Sequence, residues 1–170
     1  MLFLSGAAFN FLGGTITGES PLLLNSTLNF GTSLAAASFV MTGAGGRVNG
    51  TIAAGQSLWV KGQNLGGHTT VTALNGLTNN GTIRLESADG GYESRITIAA
   101  GALTNRGTIT TGVGSGGNRT IVGNVINQGT IGIALTGSFS GTLTSTGTID
   151  VGDGQALTLG SGDILNLKLR

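Results

Sequence analysis

Residues 77–83 read L-T-N-N-G-T-I, and the same phrase returns as L-T-N-R-G-T-I at 103–109, V-I-N-Q-G-T-I at 125–131 and L-T-S-T-G-T-I at 143–149. Shorter G-T-I echoes stand at Gly14 and Gly50, so the six glycines are spaced by 36, 31, 26, 22 and 18 residues. Repetition at this period is the mark of a solenoid, in which equivalent positions of successive coils meet the same neighbours. A sandwich gives each strand its own surroundings and has no reason to spell one phrase four times. Unequal steps then mean loops of different length leaving a constant cross-section.

Side chains alternate across a strand, so the phrase also assigns inside and outside. Ile83, Ile109, Ile131 and Ile149 point inward, each followed two residues on by Leu85, Thr111, Ile133 or Val151. Thr82, Thr108, Thr130 and Thr148 form an outer column. Asn79, Asn105 and Asn127, with Ser145 in the last copy, sit at the bend. Stacked amides can hydrogen-bond from coil to coil there, and both Asn and Gly tolerate positive φ. Gly81, Gly107, Gly129 and Gly147 read as corners where a Cβ would clash. Short strands bounded by Gly or Asn continue along the chain, the all-β signal. Residues 34–38 alone have helical flavour, too short to weigh much. The expected architecture is an all-β, right-handed parallel β-helix of about seven coils, roughly 35 Å long at strand spacing. Residues 1–47 are read as N-terminal coils and a cap, and 48–170 as the regular coils of one continuous domain.

Composition agrees. The 170 residues include 33 Gly, 1 Pro and no Cys, with 9% charged and 5% aromatic side chains. Thr, Ser and Asn outnumber the helix formers, which favours strands and tight turns. A net charge of +1 leaves no electrostatic footprint for nucleic acid or an anionic membrane. Without Cys there are no disulfides, thiol nucleophiles or thiolate-bound metals. The apolar opening, residues 1–11, has no basic segment and no cleavage pattern, so it is expected to be folded structure and not a signal peptide. No run is long enough to span a bilayer as a helix.

The phrases at 77–87, 103–110 and 125–131 resemble repeats of large secreted bacterial surface proteins, namely filamentous-haemagglutinin-like adhesins and autotransporter passenger domains. The resemblance covers roughly residues 48–151. It implies an exported, cell-surface or extracellular β-helix serving as stalk or adhesive. It carries no ligand-binding residue with it, because the repeated residues are scaffold.

Chemistry is sparse. The carboxylates are Glu19, Glu86, Asp89, Glu93, Asp150, Asp153 and Asp163. Asp89 and Glu93 flank G-G-Y, and with Glu86 and Arg95 they can form a polar patch on an excursion at 87–93. A β-helix polysaccharide-degrading enzyme would place acids and bases on one outer face, but solvated loop charges are the favoured reading. D-V-G-D-G at 150–154 lacks the spacing of a calcium-binding nonapeptide or an EF-hand. G-V-G-S-G-G at 112–117 lacks the G-K-[ST] of a phosphate loop and is a glycine turn. His68, the sole histidine, caps a turn. Trp59 faces outward if Leu58 and Val60 face in, giving a platform for a sugar ring. In the opposite phase it is core, the favoured reading for a lone large aromatic. An ice-ordering Thr-x-Thr array is a minor alternative, since Arg84 and Asp150 interrupt it.

The sequence therefore points to a non-enzymatic structural or adhesive solenoid with no cofactor and no metal site. Self-association by end-to-end coil stacking is expected. The alternative is a carbohydrate-binding face contacting its ligand through Trp59, Tyr92 and Glu93.

Overall fold

The computed structural model describes residues 1–112, 114 and 116–167. Among them there are strands and turns but no α-helix, and all the strand pairing is parallel. Val113 and Ser115 of the glycine turn, and Lys168 and Leu169 of the expected closing strand, lie outside the described residues. The chain winds as a β-solenoid of about seven turns. Each full coil contributes one strand to an eight-stranded sheet and one or two to a second sheet. The second sheet has two columns. One runs through Ala8–Phe11, Thr27–Phe30, Gly46–Asn49, Thr69–Ala73 and Ser94–Ile98; the other runs through Thr51–Ile52, Leu77–Asn79 and Leu103–Asn105. The nine-residue strands Arg119–Asn127 and Gly137–Ser145 join the columns by belonging to both. The cross-section thus has three sides, called first, second and third in chain order.

Register on the first side is continuous. Phe3, Leu22, Val40, Trp59, Arg84, Thr110, Gly132 and Asp150 stand above one another. The steps between them are 19, 18, 19, 25, 26, 22 and 18 residues. The stack begins at Phe3 and runs through residues 47 and 48 without a break. Two of the G-T-I echoes are not coil copies. Gly14, Thr15 and Ile16 belong to no strand, and Thr51–Ile52 pairs with Thr78 and Asn79 on the third side. The residue in register with Ile83 one coil earlier is Leu58, then Phe39.

Inside lies a column of apolar side chains. Phe39, Leu58, Ile83 and Ile109 have no exposed surface, Ile131 is nearly buried, and Ile149 packs partly against the same core. Ile83, Ile109, Ile131 and Ile149 are direct register partners, as are Thr82, Thr108, Thr130 and Thr148 on the outer surface. The wider early coils are filled by aromatics: the Phe9, Phe11 and Phe30 rings surround Phe39 at 5.2–5.6 Å. Residues 34–38 form no helix, because Ala37 opens the strand Ala37–Thr42 and is buried with Phe39 and Met41.

At the bend between third and first sides runs a buried amide ladder. Asn79 Nδ2 donates to Asn105 Oδ1 at 2.7 Å, Asn105 to Asn127 at 2.7 Å, and Asn127 to Ser145 Oγ at 2.9 Å. The same amides donate to the carbonyls of Thr108, Thr130 and Thr148 at 3.0 Å. None of the four glycines of the phrase has positive φ, nor do these asparagines. The tolerance of positive φ is not used at this bend, and the glycines serve as the corners where a Cβ would clash. A Cβ on Gly107 would lie 2.1 Å from the Gly81 carbonyl oxygen, and one on Gly129 would lie 2.2 Å from that of Gly107. The coils approach too closely there for any side chain.

Candidate functional site

The connection from first to second side is two to five residues long in five coils. In the three successive coils that begin at Gln56, Thr82 and Thr108 it lengthens to six, six and seven residues. These three loops stack on one corner of the solenoid. Insertions collected on one face of a repeat scaffold are where such proteins carry ligands, because loops change without disturbing the stacked core. Of the chain's 15 charged residues, seven (Lys61, Arg84, Glu86, Asp89, Glu93, Arg95 and Arg119) lie in this corner or within a few residues of it. Its sole His and sole Tyr are also there.

The loops are tied to one another. Asn64 N–H donates to Asp89 Oδ1 at 2.6 Å, and Glu93 N–H donates to His68 Nδ1 at 3.1 Å. His68 also meets the Tyr92 ring edge-on at 5.6 Å between centroids. It therefore pins the loop of the next coil and does not cap its own turn. Arg95 Nη2 and Thr120 Oγ1 each donate to Glu93 Oε1 at 2.9 Å. Glu86, expected to be solvated, is 5% exposed and ion-paired with Arg84.

Trp59 faces outward, which corrects the reading of it as core. It lies in Gln56–Gly62 between the fully buried Leu58 and Val60, and their register with Ile83 and Leu85 fixes the phase. Lys61 Nζ lies 4.6 Å and Arg84 Cζ 4.9 Å from its ring centroid, so the ring is half-buried by cation–π neighbours. Trp59 is thus mid-strand on the first side, Tyr92 in the corner loop and Glu93 at the start of the second side. The sites lie around one corner, not on one plane.

One buried charged residue of the corner does not stand out in the sequence. Arg119, the first residue of Arg119–Asn127, is 5% exposed and uses Nη1 to donate to the Gly116 and Gly117 carbonyls at 2.9 and 2.8 Å. Burial pushes its pKa below the ordinary arginine value, and the nearby Glu86 carboxylate works the other way; the guanidinium remains charged. Nε and Nη2 of Arg119, and Oγ of Ser87, are buried without a hydrogen-bond partner among the described residues. Alternation says nothing of residues from different coils meeting at a corner; the lengthened steps were the available signal.

Two other features lie outside this corner. An outward amide ladder, Asn49 to Asn29 to Asn10 at 2.8 and 2.7 Å, runs up the second side. Beside Asn49 a groove of about 680 Å³, with Thr51, Leu74, Asn75 and Thr78 in its walls, opens at the bend between second and third sides. No group of three or more His, Cys, Asp or Glu able to hold a metal occurs among the described residues. The D-V-G-D-G segment includes a turn closed by Gln155 N–H donating to the Gly152 carbonyl at 2.9 Å. No helix among the described residues is long and apolar enough to cross a membrane.

No family model matches the chain, and no curated protein or solved structure matches it.

Proposed function

We propose that the chain is a non-enzymatic, stiff solenoid segment of a bacterial extracellular or cell-surface protein, acting as spacer or adhesive. The observation that carries this reading is the unbroken register of the first-side column from Phe3 to Asp150. Such a column makes a rod about 34 Å long at strand spacing, with its polar chemistry gathered at one corner. The carboxylates there are occupied, Glu86 with Arg84 and Glu93 with Arg95 and Thr120, which favours binding over acid–base turnover.

A second copy stacking end to end is the expected partner. Met1, Leu2 and Phe3 are 74%, 50% and 47% exposed at the first rung, and Ile164, Leu165 and Leu167 are 50%, 40% and 59% exposed at the last. Edge strands also present unpaired N–H and C=O groups to a further parallel strand. Sedimentation and electron microscopy are expected to show particles that lengthen with concentration at constant width. Monomers alone from micromolar to millimolar concentration would remove self-association from the reading.

The outward Trp59 favours one further reading, a neutral or charged glycan bound at the corner. Titration of a glycan selected on an array is expected to weaken at least tenfold in Trp59→Ala and in Tyr92→Ala, with the fold unchanged by circular dichroism. An array with no hit, or equal affinity in both variants, excludes this reading.

A further inference from the structure

We propose that the Nε–Nη2 edge of Arg119, with the Ser87 hydroxyl beside it, receives the carboxylate group of a ligand. The inference deepens the glycan reading of the corner by naming the chemistry that would be recognised.

Three buried donors in this corner have no acceptor among the described residues. Arg119 is 5% exposed and Ser87 fully buried, and Nε, Nη2 and Oγ are without partners among the described residues. Both residues adjoin the same loop: Gly114 lies against the Ser87 carbonyl and Arg119 Nη2, and Gly117 lies against Ser87 Oγ and accepts from Arg119 Nη1. A Cβ on Gly114 would lie 3.2 Å from Arg119 Nη2 and 1.8 Å from the Ser87 carbonyl oxygen, and one on Gly117 would lie 2.6 Å from Ser87 Oγ. Gly114 and Gly116 are exposed, so the layer above the donors includes residues with no side chains. Buried donors without partners are uncommon in native proteins and each calls for a cause, the more so for a charged group.

The pattern of what is bonded and what is free selects the ligand. Nη1 is held by the Gly116 and Gly117 carbonyls, which fixes the guanidinium plane. The edge left over carries two parallel N–H groups, the geometry that matches both oxygens of a carboxylate. Glu86 does not fill this role, being paired with Arg84. Arg84, Glu86 and Arg119 together leave a single positive charge, which a monoanion balances and a phosphate dianion exceeds. Ser87 Oγ, which lies against Gly117, the residue whose carbonyl holds Nη1, is a further buried donor without a partner among the described residues.

The test reads the Arg119 Nε–H resonance of the isotope-labelled chain by NMR, titrated at constant ionic strength with sodium galacturonate, sodium acetate or galactose. Both carboxylates are expected to shift it saturably and galactose to leave it in place. Galacturonate binding at least tenfold tighter than acetate would identify a carboxylate borne by a sugar; equal binding would identify a small free carboxylate. Ser87→Ala is expected to weaken binding several-fold with folding intact, and Arg119→Lys to abolish the saturable shift of neighbouring amides. The proposal is overturned if no carboxylate moves the resonance saturably, or if galactose moves it as far as galacturonate does. It is also overturned if Glu86→Gln shifts the resonance in the free protein as a lost hydrogen bond would, because Arg119 then has its carboxylate within the chain. Galacturonate binding unchanged in Trp59→Ala, with the Arg119 response to acetate kept, would mark failure of the glycan reading alone; loss of the acetate and galacturonate responses in the unaltered chain marks failure of this one.

Discussion

Asn105→Ala is expected to lower unfolding free energy by about 3–5 kcal/mol, read from urea denaturation. Asn105 is the middle rung of the inner ladder and is fully buried. Its amide accepts from Asn79 and donates to Asn127 Oδ1 and to the Thr130 carbonyl. Truncation leaves Asn127 Oδ1 without its donor, takes one of the donors to the Thr130 carbonyl, and removes one acceptor of Asn79 Nδ2. Each buried group stranded in this way costs about 1–3 kcal/mol, because no water reaches it. The outward ladder supplies the control. Asn29 makes the same amide contacts with Asn10 and Asn49 on the surface, where water replaces a lost partner, so Asn29→Ala is expected to cost less than about 1 kcal/mol. Equal losses in the two variants would show that burial of the inner ladder does not matter to stability.

Gly107→Ala is expected to cost about 4 kcal/mol or more and to broaden or abolish the cooperative transition, since overpacking against rigid neighbours lies at the severe end of point mutations. The added Cβ would lie 2.1 Å from the Gly81 carbonyl oxygen and 2.7 Å from the Asn80 carbonyl carbon. Both are backbone, and the Gly81 carbonyl already accepts from Thr108 N–H at 2.9 Å. Relief therefore requires two coils to separate at a point where main-chain hydrogen bonds hold them together. Gly132→Ala isolates this effect. Gly132 has ordinary φ, and its nearest neighbour to an added Cβ is Thr110 Oγ1 at 3.8 Å. That substitution is expected to be neutral or to stabilise by about 0.5 kcal/mol, by restricting the unfolded chain. Thermal melts of the two variants side by side separate crowding from the general effect of Gly→Ala.

The later coils were legible because three constraints coincide in one phrase. Ile must fill the interior, Asn two residues before Gly must meet the next amide, and Gly must let the coils approach. The echoes at Gly14 and Gly50 lack that Asn, having Leu12 and Val48 two residues earlier, and neither marks the bend. Earlier coils keep the register without the spelling. Any apolar side chain of suitable volume satisfies the interior, so Phe39 and Leu58 stand where Ile83 and Ile109 stand later. Trp59 was misplaced because a general preference of large aromatics for the core was set against a phase that Leu58 and Val60 already fixed. The corner was half legible. Tyr92, Glu93 and Asp89 stood out as an excursion, but the meeting of residues 63–68 and 88–93 with Gly114 and residues 116–118 depends on coil stacking, which local periodicity does not report. Arg119 follows a run of glycines and looks like a loop charge until the coil beneath it is in place.

Cysteine pairs test the register itself, and the chain has no native Cys to interfere. Thr108 and Thr130 are direct partners on adjacent coils, with Cα atoms about 4.8 Å apart at strand spacing, inside the range a disulfide bridges. Thr110 is displaced from Thr130 by two residues along the strand, which puts the Cα atoms roughly 8 Å apart, beyond that range. Under mild oxidation at low protein concentration, Thr108→Cys with Thr130→Cys is expected to form an intramolecular disulfide in the folded chain, and Thr110→Cys with Thr130→Cys is not. Equal cross-linking of the two pairs, or cross-linking of the second alone, would contradict the in-register stack.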